Sequence, residues 1–209
     1  MTGLVGIASV VLIFVPIVAR SGEEPDFRGS AAEALTFFRS IDSGLAELGG
    51  FLVTVGMLGF LWFAVGITTL LRRAEGEPHW RSTAGLVSAV VVVPLILEGS
   101  WDAATHRAAD LEPQVARYAF DVGNLSFSNA WVALGSFAIA CGWVLVSTGY
   151  LARWLGWLAV VSGVGLVLAR AVRLEVIWFA PYLLFWLWVV AVSVLLLRRG
   201  APAGSRGAA

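Results

Sequence analysis

The chain has 209 residues, of which 59% are hydrophobic and 13% charged, with a mean hydropathy of +0.85 and zero formal net charge. A soluble domain of this size carries about 25% charged residues, so composition excludes an ordinary water-soluble fold and makes lipid the solvent for much of the surface. Zero net charge supplies no field for nucleic acid, and the single cysteine, Cys141, excludes an intrachain disulfide.

Crossing the hydrocarbon core takes about 20 mainly apolar residues. Six segments qualify, at roughly 3–19, 44–71, 83–103, 127–151, 154–172 and 176–197. The expected fold is therefore all-α: a polytopic membrane protein whose single domain, residues 1–199, is a six-transmembrane-helix bundle. The tail at 200–209, GAPAGSRGAA, is small and polar and reads as disordered and cytoplasmic. The first segment has the length of a signal peptide, but its N-terminal region lacks Lys and Arg, so it reads as an uncleaved span.

The loop at 20–43 contains AAEALTFFRSI, where Ala32, Leu35 and Phe37 or Phe38 recur at helical spacing, predicting a short interfacial helix. Its Glu23, Glu24 and Arg28 repeat the E-E-x-x-x-R spacing of CAAX-type membrane proteases. Pro25 interrupts that spacing in a polar loop, and neither His79 nor His106 stands in the companion histidine pattern, so that chemistry is excluded.

The third segment runs into VVVVPLILEGSWDAATHR, 90–107. In a continuous helix Glu98, Asp102 and His106 follow i, i+4, i+8 and share one face. The ends of that set lie about 12 Å apart along the axis, too far for one metal ion, which leaves Asp102 with His106 as a two-ligand candidate needing a third donor from another helix. The loop at 104–126 carries D-L-E-P, with Asp110 as a plausible N-cap and Pro113 in the first turn of a second short helix.

Glycines at 135, 142, 149, 156 and 163 recur every seven residues through the fourth and fifth segments. Since that register should not survive the turn near Arg153, they read as two glycine-faced helices that pack closely, within the chain or with another copy or membrane partner. Trp80, Trp101, Trp131, Trp154, Trp157 and Trp178 fit interfacial belts, while Trp186 and Trp188 lie deeper, on a last span already crowded with aromatics.

All fourteen cations are arginine. Arg72, Arg73, Arg81, Arg153, Arg198, Arg199 and Arg206 fall on one side with only Glu75 and Glu77 as acids; the other seven face twelve acids. The short, acid-poor connections place both termini in the cytoplasm and the two long acidic loops, with their short helices, outside.

Glu98 differs from its two neighbours in depth. Counted as helix from Thr83 it lies about 23 Å above the cytoplasmic edge, and Arg170, counted from Trp154, about 24 Å. Opposite charges at matching depth should pair, because an unpaired charge in hydrocarbon is costly. Pro94, one turn earlier, frees a backbone carbonyl and kinks the span. The expectation is a polar outer-leaflet pocket centred on Glu98 and Arg170, joined by Asp102, Arg173, Asn129 and Glu47. No cofactor is expected: the two histidines are not paired within spans for haem, and there is no C-x-x-C, G-x-S-x-G, Walker loop or H-E-x-x-H.

The acidic loop after the first span, LLRR closing the second at 70–73, and RWLGWLAVVSG opening the fifth at 153–163 carry a resemblance in the hydropathy profile. In these the chain resembles six-span integral membrane proteins of unknown function common in actinobacteria. The resemblance implies the fold and a bacterial plasma membrane, and transfers no catalytic residue. Similarity to tryptophan-rich tetrapyrrole-binding membrane proteins is less, since those have five spans. Three functions stay open: binding or transport of a small or lipidic ligand in an outward pocket, with membrane lipid around it; a non-catalytic accessory subunit; and a metal-dependent membrane hydrolase using Glu98, Asp102 and His106.

Overall fold

The computed structural model describes residues 1–19, 24–172 and 179–200. Those residues form helices joined by short connections, with no strand among them: α1 (Thr2–Ala19), α2 (Ala31–Ser40), α3 (Ser43–Glu75), α4 (Trp80–Ile96), α5 (Ser100–His106), α6 (Pro113–Thr148), α7 (Arg153–Val172) and α8 (Phe179–Gly200). Five stretches are long and apolar enough to cross a membrane: α3, α4 with α5, α6, α7 and α8. In α1 the apolar part, Thr2–Pro16, is shorter. The expected disordered tail, apart from Gly200, lies outside the described residues.

The long helices close into a ring. α1 packs on α3 and α8, α8 on α7, α7 on α6, α6 on α4, and α4 on α3, with α3 and α6 also touching across the centre. That centre is filled by rings: Phe60, Phe63, Phe137, Phe185 and Trp188 are fully buried, and Phe60–Phe137 and Phe137–Trp188 meet edge to face at 5.6 and 5.8 Å. Arg72, Arg73, Arg81, Arg153, Arg198 and Arg199 gather at one end, the arginine-rich end. The other end carries α2 and α5.

The glycine pattern is resolved within the chain. A Cβ on Gly135 would lie 2.7 Å from the Gly163 carbonyl oxygen, and one on Gly142 would lie 2.6 Å from that of Gly156. The reciprocal distances are 2.6 and 2.9 Å. Gly149 sits at the turn with φ 66°, in the left-handed region where a side chain is strained. The seven-residue register therefore does survive the turn: an antiparallel hairpin mirrors it about Gly149, pairing 135 with 163 and 142 with 156. All four paired glycines are buried, so these faces are spent inside the chain.

α6 is far longer than the segment expected at 127–151. Its 36 residues at 1.5 Å each make about 54 Å, against about 30 Å of hydrocarbon. The added N-terminal half supports a cap. Ala34, Leu35, Phe37 and Phe38 of α2, Ala104 of α5, and Ala116, Ala119 and Phe120 of α6 form a second apolar core, separate from that of the bundle. The short helix predicted between 20 and 43 is thus present, but its apolar face is buried against protein and is not free to lie on a membrane surface. It begins with a capping box between Ser30 and Glu33. α6 starts with Pro113 at its first position and Glu112, in place of Asp110, at the N-cap. Arg117 fastens the preceding loop by donating to the carbonyls of Gly29, at 2.5 Å, and Phe27.

Trp80, Trp154 and Trp157 are exposed as a belt requires. Trp101 and Trp131 are not: the first is packed in the cap core and the second is 8% exposed in the bundle. Trp178 lies outside the described residues.

Candidate functional site

The stretch from Pro94 to His106 is two helices. Pro94 occupies the last turn of α4, Leu97 closes it, and Gly99 adopts φ 85°, ψ 1° before α5 begins. A residue in that left-handed conformation ends any α-helix, and glycine takes it without the steric cost of a Cβ. Glu98 consequently stands in the connection. Its Oε2 accepts from the Ser100 amide at 3.1 Å and from the Ser100 hydroxyl at 2.6 Å, an N-terminal arrangement that also suits the positive end of α5.

The depth-matched pairing with Arg170 is absent. Arg170 donates from Nε to Asn129 Oδ1 at 2.9 Å, so Asn129 does join Arg170, whereas Glu98 is exposed and engaged by Ser100. The physical reason is lateral. α4 and α7 each pack on α6, and equal height brings no contact between helices held by a third. The rise count from Thr83 also assumes a helix that has already ended at Ile96. Arg173 lies outside the described residues.

Asp102 and His106 do share a face of α5. Ala104 points the other way into the cap core, and Trp101 stacks on Phe120 with centroids 5.4 Å apart and planes 13° apart. Trp101 Nε1 donates to the Phe120 carbonyl at 3.3 Å, and the lack of a side chain at Gly123 lets the indole lie against α6. This fixes the rotation of α5 and turns Asp102 and His106 toward the first turns of α3. There Gly50 admits the carboxylate: a Cβ at that position would be 3.0 Å from Asp102 Oδ2.

An open cleft of about 260 Å³ results, lined by Ser43, Ala46, Glu47, Gly50 and Phe51 of α3 and by Asp102, Thr105 and His106 of α5. The neighbour of Asp102 and His106 is therefore Glu47, and the one-face set of Glu98, Asp102 and His106 is not formed. Among the described residues no three His, Cys, Asp or Glu side chains are placed to hold one metal ion. The cleft offers two carboxylates, an imidazole and two hydroxyls beside an exposed phenyl ring, with no arginine in its wall. Such a lining attracts a cation that also carries an apolar part.

A second polar centre, not singled out from the sequence, sits at the arginine-rich end. Glu75, four residues past the apolar stretch that closes with Leu71 and so outside the spanning part of α3, is 1% exposed at its side chain. Oε1 accepts from the amide and Nε of Arg81 at 3.1 and 2.9 Å; Oε2 accepts from the amide and hydroxyl of Ser82 at 2.9 and 2.6 Å. Burial alone would raise its pKa, but hydrogen bonds from Ser82 and Arg81 outweigh that and hold it down, from an ordinary 4.5 to about 2. Arg81 in turn donates to Ser147 Oγ at 3.2 Å, tying α4 to the end of α6. The available signal was that Glu75 is one of only two acids among that side's arginines. This centre is saturated by its own chain and presents no open coordination, which makes it a structural clasp.

No family model, curated protein or solved structure matches the chain.

Proposed function

We propose that the chain is a six-span protein of a bacterial plasma membrane, with both termini cytoplasmic and α1 as the sixth span. In this reading it binds a small or lipidic ligand bearing an ammonium group in the cleft between α3 and α5. One observation carries it: Glu47 and Asp102, from different helices, line the same cleft beside the exposed ring of Phe51. Two carboxylates facing one space lower their mutual repulsion when a cation enters. Phe51 and its exposed neighbour Leu48 offer apolar surface for an attached chain. Binding is favoured over transport because the ring-filled centre leaves no polar route along the described helices. The accessory-subunit alternative loses its main support, since the glycine faces are occupied within the chain. The hydrolase alternative lacks a converging donor set among the described residues.

The test is calorimetric titration of the protein in nanodiscs with decyltrimethylammonium, using decyl sulfate as the control. Saturable binding of the cation alone is expected, lost in Glu47→Gln/Asp102→Asn and retained in Glu98→Gln. Equal partitioning of both amphiphiles into wild-type and double-variant discs would sink the reading.

A further inference from the structure

The arginine-rich end holds cations of two kinds. Arg81 has its counter-ion inside the chain, in Glu75. Arg153, Arg198 and Arg199 have none among the described residues. Arg199, in the last turn of α8, donates from Nη1 to the Tyr150 carbonyl at 2.9 Å and places its guanidinium 5.9 Å from the Tyr150 ring centre. That contact brings the end of α8 onto the turn between α6 and α7, with Arg198 adjoining and Arg153 opening α7 just beyond. All three arginines are exposed.

No acid balances them among the described residues. Of the two acids at this end, Glu75 is committed to Arg81 and Ser82, and Glu77 lies 3.1 Å from His79. No Asp or Glu follows Glu175 in the sequence. On the bundle side of the cluster Trp154 and Trp157 are exposed on α7, the position such rings take where hydrocarbon gives way to headgroups. A guanidinium presents paired N–H donors that match the oxygens of a phosphate.

We infer that Arg153, Arg198 and Arg199 form a site for the phosphate of an anionic phospholipid, with Trp154 and Trp157 flanking its glycerol and upper chains. The site is independent of the cleft between α3 and α5 and lies at the opposite end of the bundle. It takes the charge that the described residues leave unbalanced at this end, whichever leaflet supplies the lipid.

Native mass spectrometry of the full chain in neutral detergent, titrated with phosphatidylglycerol or phosphatidylcholine of identical chains, tests this. Phosphatidylglycerol should be retained roughly ten-fold or more over phosphatidylcholine, with the preference suppressed at about 0.5 M salt. Arg153→Gln/Arg198→Gln should lose the preference without loss of fold, since neither side chain has a described partner within the protein. Arg28→Gln/Arg107→Gln, at the opposite end, should keep it. Equal retention of both lipids by wild type, or an undiminished preference in the variant that also carries Arg199→Gln, overturns the site. Displacement of the lipid by equimolar glycerophosphoglycerol would assign the site to a soluble phosphodiester and overturn the lipid.

Discussion

Where α6 runs beside α7, Gly142 and Gly156 bring two backbones so close that a Cβ on either would strike the carbonyl of the other at 2.6 or 2.9 Å. Further along the same α6, in the cap, contact passes to Phe120, Trp101, Phe37 and Phe38, with ring centroids 5.3 to 6.1 Å apart. The difference follows the solvent. Among lipid tails an apolar side chain gains little by moving from lipid to protein, so association comes from close backbone packing and small residues. Outside the hydrocarbon each buried phenyl ring contributes about 1.5–3 kcal/mol by leaving water. One helix thus carries both kinds of interface, a glycine seam against α7 and an aromatic contact with the cap helices.

The largest expected effect tests the cap. Phe38→Ala empties a fully buried position at the meeting of α2, α5 and α6 and should cost the cap about 3–5 kcal/mol. Hydrogen exchange should accelerate in α2 and α5 while α3, α7 and α8 stay protected; uniform acceleration would mean that cap and bundle form a single cooperative unit. Next is the glycine seam. Gly142→Val must force the two backbones apart and should destabilise by about 1–3 kcal/mol, read as a lower Tm in detergent for the whole bundle. An unchanged Tm would show that the hairpin is not held by close approach. The smallest effect falls at the junction of the two regions. Glu98→Gln keeps an oxygen for Ser100 and should leave stability within about 0.5 kcal/mol of wild type, whereas a pairing with Arg170 would make the loss several times larger.

The apolar segments were legible because hydropathy counts residues, and helices α1, α3, α7 and α8 fall close to where that count puts them. What the count omits is backbone geometry. It carried a helix through Glu98 because Ile96 and Leu97 are apolar, while Gly99 at φ 85° had already ended it. Helical phase was lost with that break, so Glu98 could not be placed on the face shared by Asp102 and His106. A rise count for Arg170 says nothing of which helices adjoin α7, and Asn129 of α6 stands where Glu98 was expected. Glu47 is readable as a polar residue at the end of the second segment, yet its proximity to Asp102 depends on how Trp101 rotates α5 against α6, a tertiary contact with no local signature. The glycine spacing is symmetric about Gly149, and that symmetry is the signature of an antiparallel hairpin.

The unbroken length of α6 has a mechanical consequence. A single helix is joined to α2 and α5 at one end and seated against α7 along the rest. Its far end lies where Arg81 is fastened to Ser147 and Arg199 to Tyr150. With its one proline at the first position and none in the interior to kink it, α6 links the cap to the arginine-rich end as one continuous helix.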